Sequence, residues 1–213
     1  MSFFSGFAGV PYWRLSSFYF FYFALVGALS PFFSLYLADI GLAAYAIGLV
    51  NAVLMGTKII APNIWGWLCD RTGQRLRIIT LGSLLSTVFF AGLFFSQSLI
   101  PLLVIVFFYS FFWNAILSQF DTHTIQCLQS SSDRYGHIRL WGSVGFIVAV
   151  AILGVLFDTV SIRYLIPIAW VLLLCIFFSC ISLRDTSVKK ASSTSTTSWR
   201  VIFRRPVVIA CFG

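Results

Sequence analysis

Three charged side chains stand within or beside long apolar stretches of this 213-residue sequence. Lys58 is the single charged residue in the run Ile40–Cys69, Asp121 directly follows a long uncharged run, and Arg139 directly precedes another. A Lys or Asp at the centre of a membrane-spanning helix costs about 2.5–3.5 kcal/mol on insertion scales, so such residues as a rule bind a solute or pair with another charge. The three charges therefore indicate a polar site inside an apolar protein.

Each of these charges has a partner seven residues away, and residues two helical turns apart share one face of a helix. The pairs are Lys58 with Asn51, Asp121 with Asn114, and Arg139 with Phe146. Tyr19 and Tyr22 add hydroxyl groups nearer the N-terminus, and Tyr19 also suits an interfacial aromatic belt. We predict that the substrate-binding residues are Tyr22, Asn51, Lys58, Asn114, Asp121, Arg139 and Phe146.

The candidate residues each allow two interpretations. Lys58 suits an anionic substrate such as a carboxylate, or a buried Asp elsewhere in the protein. Asp121 and Arg139 are symmetric about residue 130, so a helical hairpin brings them to matched depth and predicts that they pair. Such a pair has either a substrate or gating role or a purely structural one. Phe146 either stacks on an aromatic substrate or packs a helix interface.

The composition excludes a soluble domain as the setting for these residues. Hydrophobic residues make up 60% of the chain, charged residues only 9%, and the mean hydropathy is +0.96, whereas soluble chains are about a quarter charged. The aromatic content of 18% excludes a disordered chain. A spanning helix needs about 20 apolar residues. The sequence therefore predicts an all-α, polytopic membrane protein with spans at 15–37, 43–68, 78–95, 101–124, 139–157 and 164–183.

The basic residues predict the orientation and the domain organisation. Twelve of the 14 Lys and Arg lie on one side of the predicted spans, which places the N-terminus in the cytoplasm. The net charge of +8 is then a topology signal, and we expect no nucleic-acid partner. Residues 1–183 form the predicted six-helix bundle, the Ser/Thr-rich residues 184–205 a cytoplasmic linker, and residues 206–213 the start of a seventh helix.

Residues for catalysis and metal binding are scarce in the sequence. The chain has no Glu, its two His stand 14 positions apart, and its five Cys form no CxxC pair. Neither a nucleophile with its base nor a metal-ligand cluster is evident. We therefore expect no enzymatic activity, no cofactor and no metal site.

One polar loop carries a resemblance to a known family. The loop reads Gly66-Trp-Leu-Cys-Asp70-Arg71-Thr-Gly73-Gln-Arg75. It resembles the signature loop of the major facilitator superfamily, G-x-x-x-D-R-x-G-R-R, with Gln in place of one basic residue. The resemblance implies a gating role for Gly66, Asp70, Arg71, Gly73 and Arg75.

Two further regions resemble a narrower branch of that superfamily. The strings Phe20–Phe23, Gly27–Phe33 and Leu37–Ile40 are similar to the first helix of lactose permease and its relatives, and Tyr135–Ser143 resembles the phenylpropionate permease branch. In the sugar carriers of this branch, Glu stands at the position of Asp121 and Trp at the position of Phe146. These two departures weaken the case for sugar as the substrate.

The resemblance implies the N-terminal half of a 12-helix major facilitator fold. It further implies a secondary active transporter, a proton symporter, that moves a small organic solute across the inner membrane by alternating access. An aromatic carboxylate such as phenylpropionate is the expected solute, and a sugar or nucleoside is the alternative. The expected partners are this solute, protons, the lipid bilayer and a C-terminal six-helix half. A truncated, non-transporting membrane scaffold is the alternative from another class.

Overall fold

The computed structural model describes residues 12–96, 98–128 and 132–183, the last of these with side chains from residue 135 onward. The described residues form six α-helices and no strand. The helices are α1 (Tyr12–Asp39), α2 (Ala44–Thr72), α3 (Arg75–Ala91, extended by a 3-10 turn at Gly92–Phe94), α4 (Leu99–Cys127), α5 (Ser132–Thr159) and α6 (Leu165–Ser182, preceded by a 3-10 turn at Ile162–Tyr164).

All six helices are long and apolar enough to cross a membrane, which confirms the predicted all-α, six-span fold. The helices extend beyond the predicted spans, and α5 shows this most clearly because it begins at Ser132 rather than near residue 139. The cause is that hydropathy marks the part of a helix inside the membrane, while the helix itself continues into polar residues. The predicted linker 184–205 and the predicted seventh helix lie outside the described residues.

The helices pack in two groups, which meet where α3 packs against α6 and where rings of α1 stack on rings of α4. α1 packs along α5 and α6, while α4 packs along α2 and α3. Aromatic rings join the groups: Phe18 stacks on Phe120 with ring centroids 3.4 Å apart, and Tyr22 stacks on Trp113 at 4.0 Å. Chain neighbours α4 and α5 make few contacts. α1 therefore lies against α5 where a simple hairpin would place α4.

Polar contacts tie the helices together at both ends of the bundle. At the end that holds the Asp70 loop, here called the signature-loop end, an Arg14 guanidinium N–H donates to the carbonyl oxygen of Ser182 at 2.7 Å. The indole N–H of Trp141 donates to the Tyr12 hydroxyl at 3.0 Å. At the opposite end, Arg163 Nε donates to Asp39 Oδ2 at 2.9 Å. These contacts hold α1 against α5 and α6 at both of its ends.

Candidate functional site

A cavity of about 540 Å³ opens between α1, α2 and α4. Its volume is within the usual range for small-molecule sites, which are mostly apolar with a few convergent polar groups. Its lining has this composition, with aromatic and aliphatic side chains such as Phe23, Leu54 and Trp113. The polar lining residues are Tyr22, Ser30, Ser34, Asn51, Lys58, Tyr109, Ser110, Asn114, Ser118 and Asp121.

The structure brings most of the predicted substrate-binding residues together in this cavity. Tyr22, Asn51, Lys58, Asn114 and Asp121 all line it. The predicted polar faces of α2 and α4 therefore look into one space. That these residues bind a substrate remains a prediction.

Arg139 and Phe146 lie outside this lining, and their assignment as substrate-binding residues stays a prediction. Both belong to α5, which packs on the side of α1 away from α4. Phe146 is 36% exposed, and its carbonyl oxygen lies against Gly27 of α1. The exposed Phe146 side chain supports neither of its two interpretations. Arg139 contacts the cavity only indirectly, through the ring of Phe23.

The predicted ion pair between Asp121 and Arg139 is wrong. Within the part of the chain that the structure describes, no salt bridge joins them. The Arg139 guanidinium carbon lies 3.9 Å from the centroid of the Phe23 ring and 5.4 Å from that of Tyr19, which are cation–π contacts. The physical reason is the helix order, because α1 places these two rings between α4 and α5.

Tyr19 is the partner of Asp121, a role that the sequence did not suggest. The Tyr19 hydroxyl donates to Asp121 Oδ1 at 2.6 Å. The Thr124 hydroxyl oxygen lies 3.3 Å from the Tyr19 hydroxyl oxygen. Tyr19 is fully buried, which excludes the predicted interfacial belt position. Tyr19 therefore lies between Asp121 and Arg139. Its hydroxyl group donates to Asp121, and its ring makes a cation–π contact with the Arg139 guanidinium.

A chain of hydrogen bonds holds α2 against α4 beside the cavity. Asn114 Nδ2 donates to the Thr57 hydroxyl oxygen at 3.0 Å, and the Thr57 and Ser110 hydroxyl oxygens are 2.9 Å apart. On the other flank, Asn51 Nδ2 donates to the Ser34 hydroxyl of α1 at 3.2 Å. Two of the predicted site residues, Asn51 and Asn114, thus also position the helices that carry them.

Lys58 is the middle residue of α2 and is exposed within the cavity. Among the described residues, its ammonium group has neither a salt bridge nor a hydrogen bond. Asp121 at the same cavity accepts from Tyr19, and a carboxylate has further lone pairs to offer. The cavity therefore presents one uncompensated cation and one partly satisfied anion.

The predicted signature residues form a compact turn between α2 and α3. Gly73 adopts a φ of +67°, a left-handed conformation that glycine tolerates best, and its N–H donates to the carbonyl oxygen of Cys69 at 2.9 Å. Arg75 pairs with Asp70 within the loop. Arg71 lies over the Trp67 ring at 5.2 Å from its centroid. Within the described ranges, no three His, Cys, Asp or Glu side chains converge as metal ligands would.

Comparison with known proteins gives the same outline. The sequence profile of the MFS_1 like family matches residues 12–212. The chain is 30% identical over 145 residues to the maltose permease of Geobacillus stearothermophilus, an alignment that covers 68% of this chain and 37% of that protein. It is also 30% identical over 156 residues to the probable 3-phenylpropionic acid transporter of Escherichia coli (strain K12), covering 70% of this chain and 40% of that protein.

The fold is also similar to a solved structure. The crystal structure of the nucleoside transporter NupG superposes with a TM-score of 0.76 at 19% sequence identity, covering 94% of this chain and 50% of that one. The chain thus spans well under half of the length of the two permeases and about half of NupG.

Proposed function

Because this chain belongs to the MFS_1 like family of the major facilitator superfamily, we propose that it forms the N-terminal six-helix bundle of a secondary active transporter. The proposal rests on the cavity between α1, α2 and α4, which brings polar side chains together inside an otherwise apolar bundle. A second six-helix bundle that faces this cavity completes the site. The two bundles rock about the site, so that it opens to each side of the inner membrane in turn.

The uncompensated charge of Lys58 is the observation that favours an anionic substrate. A cation at the middle of a spanning helix, in a cavity lined by Phe23, Tyr109 and Trp113, suits a carboxylate carried on an aromatic or apolar body. The proposed substrate class is therefore a small aromatic carboxylate. One of the relatives is named as a probable transporter of such an acid.

A sugar is the second candidate, and a different observation favours it. Asn114, Ser118 and Asp121 form a row of hydrogen-bonding groups on one face of α4, and a second relative is named as a maltose permease. A row of this kind suits several hydroxyl groups. A neutral sugar, however, has no anionic group to pair with Lys58. We therefore rank a sugar below a carboxylate as the substrate.

Proton coupling completes the proposal. We place the N-terminus in the cytoplasm, so that the signature loop lies on the cytoplasmic side, where the Asp70–Arg75 pair takes part in gating. An inward proton gradient then drives uptake of the solute. A non-transporting scaffold gains nothing from a lysine left without a partner in a cavity.

Uptake into proteoliposomes tests the proposal. The two-bundle carrier, meaning this six-helix bundle together with the second bundle that completes the site, is reconstituted into liposomes with an inward proton gradient. It is then offered labelled phenylpropionate, maltose or uridine. We expect phenylpropionate to accumulate, a protonophore to abolish accumulation, and Lys58→Gln to lower uptake at least about tenfold because one charge pair is lost. The matched control is Lys189→Gln, which removes a lysine C-terminal to the six helices.

Three results would contradict parts of this proposal. Uptake that is indifferent to the protonophore excludes proton symport. Accumulation of maltose or uridine in place of phenylpropionate shows that the substrate is a sugar or a nucleoside and not an aromatic carboxylate. Absence of any uptake by a correctly folded carrier supports the scaffold.

A further inference from the structure

Lys58 and Asp121 lie at different depths in the same cavity, and the hydrogen bonds give their relative height. Asn114 of α4 bonds to Thr57, the residue before Lys58, at 3.0 Å. The backbones at Lys58 and Asn114 are therefore nearly level. Asp121 follows Asn114 by seven residues, so it lies roughly 10 Å nearer the signature-loop end at about 1.5 Å per helical residue.

The space between these two charges is suited to a flat apolar body. Leu117 lies between Asn114 and Asp121 along α4, and Trp113 of α4 and Phe23 of α1 also line the cavity. Aromatic side chains prefer stacked or edge-on contacts with other rings. A solute that reaches both charges thus passes its middle section along apolar and aromatic surface.

Asp121 retains acceptor capacity that the protein does not use. The hydrogen bond from Tyr19 occupies one lone pair of Oδ1 and the Tyr135 hydroxyl lies beside the same carboxylate, whereas an ionised carboxylate offers about four lone pairs. The Arg139 guanidinium is held on the Phe23 and Tyr19 rings and does not pair with this carboxylate. Because Asp121 lines the cavity, its remaining lone pairs are available to a donor on the solute.

The sum of the local charges indicates what kind of donor this is. Lys58, Asp121 and Arg139 together carry one net positive charge. A solute with a carboxylate and a neutral donor brings the total to zero, whereas a zwitterion leaves an uncompensated charge, which is costly at membrane depth. The donor opposite the carboxylate is therefore a hydroxyl group rather than an ammonium group.

We propose that the substrate is a two-ended aromatic acid whose carboxylate meets Lys58 and whose hydroxyl group, at the far end of the ring, donates to Asp121. This inference rests on the proposed function and makes it narrower. It gives Asp121 the role of a specificity-determining residue that selects hydroxylated over plain aromatic carboxylates. Tyr19 is then a positioning residue, since its hydroxyl fixes one oxygen of Asp121 and leaves the carboxylate oriented.

Matched solutes test this assignment in the reconstituted two-bundle carrier. Uptake of phenylpropionate is compared with that of its para-hydroxy and para-methoxy derivatives, because the methoxy group keeps the oxygen but cannot donate. We expect the para-hydroxy acid to have a KM at least about fivefold below those of the other two, as an unpaired buried acceptor weakens binding of the analogues. A para-aminomethyl derivative serves as the zwitterionic probe.

Variants of Asp121 identify the group that reads the hydroxyl. In Asp121→Ala and Asp121→Leu, which both lack a side-chain acceptor, the ratio of KM values between the methoxy and hydroxy acids is expected to fall below about twofold, with uptake of the methoxy acid retained. The ratio is measured within each variant, so a general loss of folded carrier cancels. Asp158→Ala, at the exposed end of α5, is the matched control and keeps the wild-type ratio.

The outcomes separate this inference from the proposed function. Equal KM values for the three aromatic acids in the wild-type carrier, with uptake still proton-dependent and lost in Lys58→Gln, overturn the hydroxyl assignment and leave the transporter intact. Preference for the aminomethyl derivative overturns the neutral donor. A preference for the hydroxy acid that persists in both Asp121 variants overturns the role of Asp121. Failure to transport any aromatic acid overturns both proposals.

Discussion

The two long helix contacts on either side of the cavity are built in opposite ways. Glycines on α1 and α5 allow their backbones to approach closely, whereas hydroxyl and amide side chains hold α2 to α4. Between helices in lipid there is no hydrophobic driving force, so close van der Waals packing and interhelical hydrogen bonds are the two available means of association. This bundle uses one of them on each side.

The α1–α5 contact leaves no room for added atoms. A Cβ on Gly145 would collide with the carbonyl oxygen of Phe20, and a Cβ on Gly27 would lie 2.8 Å from the carbonyl oxygen of Phe146. Because the opposing atoms are backbone, neither helix can give way locally. We therefore expect the two helices to move together.

The α2–α4 contact consists instead of side chains that also line the cavity. Ser110 and Asn114 both face the cavity and both bond to Thr57, which is buried between the helices. A side-chain hydrogen bond can pass to another partner at little cost in free energy, whereas a close contact between two backbones cannot be relieved by moving a side chain. The bundle thus has one side packed backbone against backbone and one side packed through side chains that also line the cavity.

The largest expected effect follows from adding one methyl group to the α1–α5 side. Gly145→Ala should destabilise the bundle by about 3 kcal/mol, at the upper end of typical overpacking costs, because the new Cβ meets the Phe20 backbone. Thermal unfolding in detergent, followed by size-exclusion chromatography, measures the loss. The matched control is Gly154→Ala on the same helix, where nothing lies within 4 Å of the added Cβ. Equal melting temperatures for the two variants would show that α1 and α5 are not in close backbone contact.

A smaller effect is expected on the hydrogen-bonded side. Thr57→Val removes the hydroxyl group shared by Asn114 and Ser110 and should cost about 1 kcal/mol, in the range of interhelical hydrogen bonds in membranes. Thr122→Val is the matched control, because the Thr122 hydroxyl donates only within its own helix, to the Ser118 carbonyl oxygen. The same melting assay applies. A cost equal to that of Gly145→Ala would mean that the two sides do not differ in rigidity.

The sequence predicted the helices well because the signal for them is local. Each span is an apolar run bounded by charged or polar residues, and the profile of the MFS_1 like family and the described helices confirm the family and the six spans. The polar faces of α2 and α4 were also predictable, since Asn51 with Lys58 and Asn114 with Asp121 follow helical periodicity. The structure places all four residues in the cavity lining.

The pairing between helices was not predictable from the same signal. Symmetry about residue 130 suggested that Asp121 faces Arg139, but the hairpin argument assumes that chain neighbours pack together, and α4 and α5 do not. Tyr19 lies in a run of aromatic residues where one hydroxyl group stands out little. Its bond to Asp121 joins residues 102 positions apart, a separation on which periodicity carries no information.

The smallest effect on stability is expected where a glycine lies on the hydrogen-bonded side. A Cβ on Gly66 would lie 3.5 Å from Gln119 Nε2, an ordinary contact with the end of a flexible side chain. Since Ala favours helix over Gly by about 1 kcal/mol, Gly66→Ala should leave the melting temperature unchanged or raise it slightly.

Transport by the same variant decides why a glycine stands at position 66. If α2 and α4 keep their present distance throughout the cycle, uptake by the two-bundle carrier is unchanged. If the signature loop gates by bringing α2 closer to a neighbouring helix, Gly66→Ala lowers uptake several-fold while the melting temperature stays unchanged. Gly145→Ala cannot show uptake falling without a loss of stability, because it destabilises the bundle. We expect the second result, because the side of the bundle that packs through side chains is the side free to move. Loss of stability in Gly66→Ala would instead place a rigid backbone contact on both sides of the cavity.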